Sequence, residues 1–175
     1  GNHGVNHGTQ VKSLPGDGAV RVFNGHSYIE VPKSASLNPA RMSWTVEVTF
    51  RAEKPEGVLV ARGGKSHGYA LWLRQGRPVW TVVIENKPFS VEADKSVEGW
   101  QTVTGVITPQ HTAELYVNGQ LAGRRPLPDF IVTDPHDSMQ IGADTGSPIV
   151  PPGTPQFQGE IKRVTIWWGA RRPSS

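Results

Sequence analysis

The sequence predicts an all-β, antiparallel β-sandwich, and three observations carry that prediction. Apolar and polar residues alternate with a period of two in several short runs, most cleanly from Trp44 to Phe50, and no stretch keeps the i, i+3, i+4 spacing of a helix. Tight-turn signals such as Asn24-Gly25, Gln75-Gly76 and Asn118-Gly119 separate these runs. Glycine (20) and proline (15) together supply one in five of the 175 residues, against an ordinary share of about 12%.

The first two strands, Ala19 to Phe23 and Ser27 to Val31, are joined by Asn24-Gly25. In the third, Trp44, Val46, Val48 and Phe50 share one face, and Thr45, Glu47 and Thr49 the other, the pattern of a half-buried strand. Val58 to Arg62 is short and apolar and ends at Gly63-Gly64. Tyr69, Leu71 and Leu73 then alternate with Ala70, Trp72 and Arg74, and Val79 to Glu85 follows the turn. Gln101 to Ile107, Glu114 to Asn118, Met139 to Gly142 and Glu160 to Trp168 complete the set. Leu127 to Asp137 and Asp144 to Gln156 are long irregular connections. Two sheets covering each other give every apolar face a partner. By this alternation Trp44, Trp80 and Trp100 belong to the core. Residues 1–16 read as a flexible N-terminal tail, 17–169 as the domain and 170–175 as a C-terminal tail.

A hydrophobic content of 36% with six Trp argues against a disordered chain. The net charge of +3 is small and evenly spread, so no nucleic-acid partner is expected. No run approaches the roughly 18 apolar residues of a membrane span. The absence of cysteine excludes disulfides, thiolate metal sites and a cysteine nucleophile. Gly1 to Ser13 is polar and carries no signal peptide, and a start at Gly1 reads as an excised segment.

Few constellations suggest catalysis. A retaining glycosidase needs two carboxyls about 5–5.5 Å apart, and Glu92-Ala93-Asp94 with Glu98 comes nearest. Lys95, Ser96 and Gly99 make that segment a turn, so it reads as a solvated loop. His26, His67, His111 and His136 fall in predicted loops without the spacing of a zinc site or a nucleophile's base. Gly63-Gly64-Lys65-Ser66 lacks the phosphate-loop frame, and Arg124-Arg125 and Arg171-Arg172 read as solvated surface. The aromatic residues are more informative. Trp72 lies opposite Tyr69, Leu71 and Leu73 and beside Arg74, while Tyr116 lies opposite Leu115 and Val117. Flat rings stack on the C–H face of a sugar while polar groups fix its hydroxyls. Trp72, Arg74, Tyr116, Glu47 and Thr104 are therefore the candidate ligand-binding residues. The alternative is that long loops bury these rings.

Phe23-Asn24-Gly25 followed by Tyr28-Ile29-Glu30-Val31-Pro32 resembles the opening of laminin G-like, concanavalin A-like jelly-roll domains. Gly99-Trp100 into Gln101 to Val106, then Leu115-Tyr116-Val117-Asn118-Gly119, is similar to the family's central hairpin. Ile141-Gly142-Ala143 and Phe157-Gln158-Gly159-Glu160-Ile161, ending in Val164-Thr165-Ile166-Trp167, resemble its closing strands. The resemblance covers Asp17 to Trp168 and implies a jelly roll. It does not imply one function, because the superfamily holds carbohydrate-binding modules, adhesion domains and retaining glycosidases. It does imply a context, an accessory module of a secreted bacterial sulfatase or glycoside hydrolase. Gly142-Ala143-Asp144 with Gly146-Ser147 looks like the C-terminal module of some sulfatases. Where many relatives carry calcium-binding Asp, this chain has Asn24 and Lys162, so no cofactor is expected. The fallback for calcium is a rim site of Asp134, Asp137 or Asp144. The expectation is a secreted or periplasmic, non-catalytic, lectin-like module whose partner is carbohydrate. The alternative is a structural domain packing on its parent catalytic domain, and a glycosidase ranks last.

Overall fold

Short alternating strands need neighbours along both edges and a cover over the apolar face. Among the described residues, fourteen strands meet both needs by forming two seven-stranded antiparallel sheets. A computed structural model describes residues 2–16 and 18–173. The first sheet has the order β1 (Val5–His7), β4 (Tyr28–Val31), β13 (Met139–Ile141), β6 (Gly57–Gly63), β7 (Gly68–Arg74), β8 (Arg77–Ile84), β9 (Lys87–Glu92). The second has the order β12 (Gln120–Pro126), β11 (Thr112–Val117), β10 (Trp100–Ile107), β5 (Trp44–Ala52), β14 (Gln158–Trp168), β3 (Ala19–Asn24), β2 (Gln10–Ser13). A single 3-10 turn, Ala35–Leu37, is the only helical element among the described residues.

The alternating sets meet between the sheets as expected. Trp44, Val46, Val48 and Phe50 of β5 are fully buried against Tyr69, Leu71 and Leu73 of β7 and Trp80 and Val82 of β8 within one core. Gly105 of β10 is part of this packing. A Cβ there would lie 2.3 Å from Trp80 Cδ2, so only glycine lets the indole lie against the strand. Trp80 Nε1 donates to the Val106 carbonyl at 3.3 Å.

Several readings of the sequence differ from the structure. Strands β9 and β12 lie outside the expected set, and β9 takes in Glu92 of the segment read as a solvated loop, with Ala93 buried behind it. Residues 5–13 of the expected tail form β1 and β2, edge strands of opposite sheets that pair with β4 and β3. Asn6 holds the link between them, accepting from Thr9 N–H at 2.9 Å and donating to the Thr9 carbonyl at 3.0 Å. Trp100, expected in the core, is 40% exposed. It lies an even number of residues from Thr104, and Val103 and Ile107, of odd parity, hold the buried face of β10.

One buried charge organises the loop end of the sandwich. Arg62 is fully buried and donates to the carbonyls of Asp137, Leu37 and Pro135 and to Asp134 Oδ1 at 2.9 Å. Three of these hydrogen bonds pin the 134–137 connection and the fourth ties in Leu37, which leaves the guanidinium hydrogen-bonded despite its removal from water.

Candidate functional site

The outer face of the second sheet collects the polar half of each alternating strand. Register places Tyr116, Thr104, Glu47 and Thr165 side by side across β11, β10, β5 and β14. With strands about 4.8 Å apart, this row spans roughly 14 Å. Thr104 Oγ1 donates to Glu47 Oε2 at 2.9 Å, and one pleat further along the Thr49 and Thr102 hydroxyls are 2.9 Å apart. Beyond them, Trp100 stands opposite Arg51, whose Nη2 lies 3.0 Å from Glu160 Oε1. Beyond the row in the other direction is the half-buried Trp167, with the Arg171 guanidinium 5.6 Å from its ring centre. Two indoles thus flank a strip of hydroxyls, a carboxylate and a guanidinium.

The Trp167 end is closed by the chain itself. Arg171 N–H donates to Thr45 Oγ1 at 2.8 Å, and Arg172 Nε donates to Glu114 Oε1 at 2.9 Å. Tyr116 donates its hydroxyl to the same Glu114 oxygen at 3.0 Å, which ties the ring down at 8% exposure. Burial pushes the Glu114 carboxyl up. Hydrogen bonds from Arg172 and Tyr116 and the nearby Arg172 and Arg124 charges outweigh it and hold the group below its ordinary value. Burial and the Glu114 bond both raise the Tyr116 phenol.

The five residues expected to share a platform are divided between two faces. Glu47, Thr104 and Tyr116 are together on the second sheet. Trp72 and Arg74 lie on the outer side of the first sheet, with the whole core between them and the others. There Trp72 is only 4% exposed, packed with Val58, Ala61, Ala70, Val79 and Val150, so the 144–156 connection covers it. Its Nε1 donates to Thr81 Oγ1 at 3.0 Å, and the Arg74 guanidinium sits 5.1 Å from its ring centre. The loop-burial alternative holds for Trp72. Sequence reasoning missed Trp100 and Trp167, although counting alternate positions from Thr104 along β10 and from Thr165 along β14 reaches both.

The acidic candidates are engaged elsewhere. Glu92 accepts from Arg74 Nη2 at 2.8 Å and lies 3.2 Å from Arg77 Nη2; the Arg74 bond holds its carboxyl below the ordinary value despite some desolvation. Asp94 and Glu98 are in an exposed connection. Asp134 is taken by Arg62 and by Lys33 at 3.3 Å. Asp144 Oδ2 accepts from Ile149 N–H at 2.7 Å and Val150 N–H at 3.2 Å. Burial raises the Asp144 carboxyl nonetheless, and Asp137 adds to the rise. No group of three or more His, Asp or Glu among the described residues is arranged to hold a metal ion.

The sequence pattern of the concanavalin A-like lectin/glucanases superfamily matches residues 23–175. The chain belongs to that family. No curated protein matches it. Among solved structures it is similar to domain 4 of AbnA, a GH43 extracellular arabinanase from Geobacillus stearothermophilus, in complex with arabinotriose. That likeness has 16% identity and a TM-score of 0.72, over 93% of this chain and 76% of the other. The binding domain of Paraclostridial Mosquitocidal Protein 1 aligns at 15% identity and TM-score 0.76, over 97% of this chain and 45% of that one. A botulinum neurotoxin type C structure, reported with two ganglioside molecules required for cell entry, aligns at 12% identity and TM-score 0.73. This chain spans 44% of the length of that toxin chain. At these identities the likeness defines the fold.

Proposed function

We propose that the chain is a non-catalytic carbohydrate-recognition module that binds its glycan on the outer face of the second sheet. The observation that carries this reading is the hydrogen-bonded Thr104–Glu47 pair in a row of polar side chains with Trp100 and Trp167 at its two ends. Trp100, 40% exposed, and the half-buried Trp167 supply stacking surface. The half-buried Glu47, Thr49, Thr102 and Thr165 supply directional partners for sugar hydroxyls, while Thr104, itself buried, positions the Glu47 carboxylate. The reading is supported by the family, and by neighbours whose reported ligands are arabinotriose and gangliosides. The acidic groups favour binding over hydrolysis, since Glu92 is neutralised by Arg74 and Arg77 rather than paired with a second carboxyl. The proposal extends to a secreted or periplasmic setting, as an accessory domain of a polysaccharide-active enzyme such as a sulfatase.

The test is a glycan array carrying arabinans, galactans, β-glucans and sulfated oligosaccharides, followed by calorimetry with the best ligand. Trp100→Ala should weaken binding at least tenfold without changing the melting temperature, and Trp168→Ala should leave the affinity unchanged. Binding that survives both Trp100→Ala and Glu47→Ala would put the ligand elsewhere.

A further inference from the structure

β14 runs from Gln158 to Trp168, yet β3 pairs only with Gln158–Ile161, while β5 lines the other edge from Gly159 to Trp168. Gly169 N–H donates to the Ser43 carbonyl at 2.9 Å, which sets the phase of the β14–β5 ladder. Alternate residues of an antiparallel pair turn both backbone groups toward the same neighbour. Arg163, Thr165 and Trp167 therefore face β5, and Val164, Ile166 and Trp168 turn their N–H and C=O groups to the open edge. Among the described residues no strand and no side chain meets those groups.

The side chains of the same three residues point between the sheets, into a cleft of about 650 Å³. Its other wall is Ile29, Val31, Leu37, Met139 and Ile141. Trp168 stands at one end, 62% exposed, its Nε1 donating to the Ser36 carbonyl at 2.8 Å. A backbone edge beside an apolar slot selects an extended chain, because only a strand supplies main-chain partners and alternate side chains together. Proteins blunt free edges with bulges and cations, and the register shift at Lys162 does so for the lower part of β14. It stops short of Val164. Lys162 and Arg163 are exposed, and neither forms an ion pair among the described residues. They favour a partner with carboxylates on its outward positions.

We propose that the Val164–Trp168 edge binds an extended acidic peptide segment as an additional antiparallel strand, with alternate apolar side chains of the peptide filling the cleft. In antiparallel pairing, the peptide residues that bond to Val164 and Ile166 are those whose side chains enter the cleft. The probe is the capped peptide Asp-Val-Glu-Val-Asp-Val-Glu, titrated into the isotope-labelled chain. Saturable shifts are expected at the Val164, Ile166 and Trp168 amides, with slowed hydrogen exchange there. N-methylation of the three valines should weaken binding at least tenfold, and N-methylation of the acidic residues should not. Replacing the acids by Lys should also weaken it. This design does not depend on a protein variant folding. The proposal is overturned if binding is absent at millimolar peptide, if the loss is not selective for valine methylation, or if the shifts map to Trp100 and the outer face.

Discussion

Thr104 and Glu47, on neighbouring strands and 57 positions apart in the chain, are joined by a 2.9 Å hydrogen bond on the outer face of the second sheet. The bond orients the Glu47 carboxylate along the sheet surface while leaving its second oxygen available. Trp100, four residues before Thr104, lies on the same face.

Burial of Trp72 should be visible in stability. Trp44→Ala is expected to cost about 3–5 kcal/mol, as large cavities in a core do. Trp72→Ala should cost about 3 kcal/mol, because the indole is packed under Val150 and donates to Thr81. It should also speed proteolytic cleavage within residues 144–156. Chemical denaturation checks the first effect and limited proteolysis the second; a neutral Trp72→Ala would return this ring to the solvent.

Gly105→Ala is expected to destabilise by about 1–3 kcal/mol through overpacking, since the new Cβ meets the fully buried Trp80 ring. Trp80→Phe in the same chain should recover part of the loss, giving a non-additive double-mutant cycle. Strict additivity in denaturant melts would show that the two positions do not touch.

Alternation and turn dipeptides are local, so strands and their buried faces were legible in the sequence. Alternation does not say which sheet a strand joins. β7 enters the first sheet through β6, and β10 enters the second through β5, which is why Trp72 and Thr104 end on opposite sides of the molecule. Trp100 differs for another reason: the reading by alternation places it in the core, but its parity along β10 is that of Thr104 on the outer face, not that of Val103 and Ile107. The edge strands β1 and β2 escaped notice because neither is amphipathic; both are exposed throughout and form because β4 and β3 offer them partners.

Acid should unfold the chain through Glu114. Its carboxyl sits below the ordinary value near 4.5 in the folded state. A depressed carboxyl contributes stability above the unfolded value, and that contribution is lost as pH falls through the folded one. The loss therefore lies below about pH 4.5. Arg172→Ala removes the main favourable partner and leaves burial dominant, so the acid midpoint should rise. An unchanged midpoint in circular-dichroism titrations would mean that the 170–172 segment does not hold Glu114.

Chelation should have no effect on stability. Asp134 is held by Arg62 and Lys33, and Asp144 accepts two backbone N–H groups. A bound ion at a hundredfold excess over its Kd adds about 2.7 kcal/mol, so its removal would be plain in a thermal melt. A fall of several degrees with EDTA would assign calcium to the Asp137 and Asp144 loops.

The central claim is that the outer face of the second sheet is where a glycan binds, and the indole N–H resonances of the six tryptophans test it most directly. Titrated with the best oligosaccharide from the array, the Trp100 and Trp167 signals should shift and saturate together. Those of Trp44, Trp80 and Trp72, buried in the two packing clusters, should stay in place. Saturable shifts at Trp72 or Trp168 with Trp100 and Trp167 unmoved would contradict the account, as would an array on which no glycan binds.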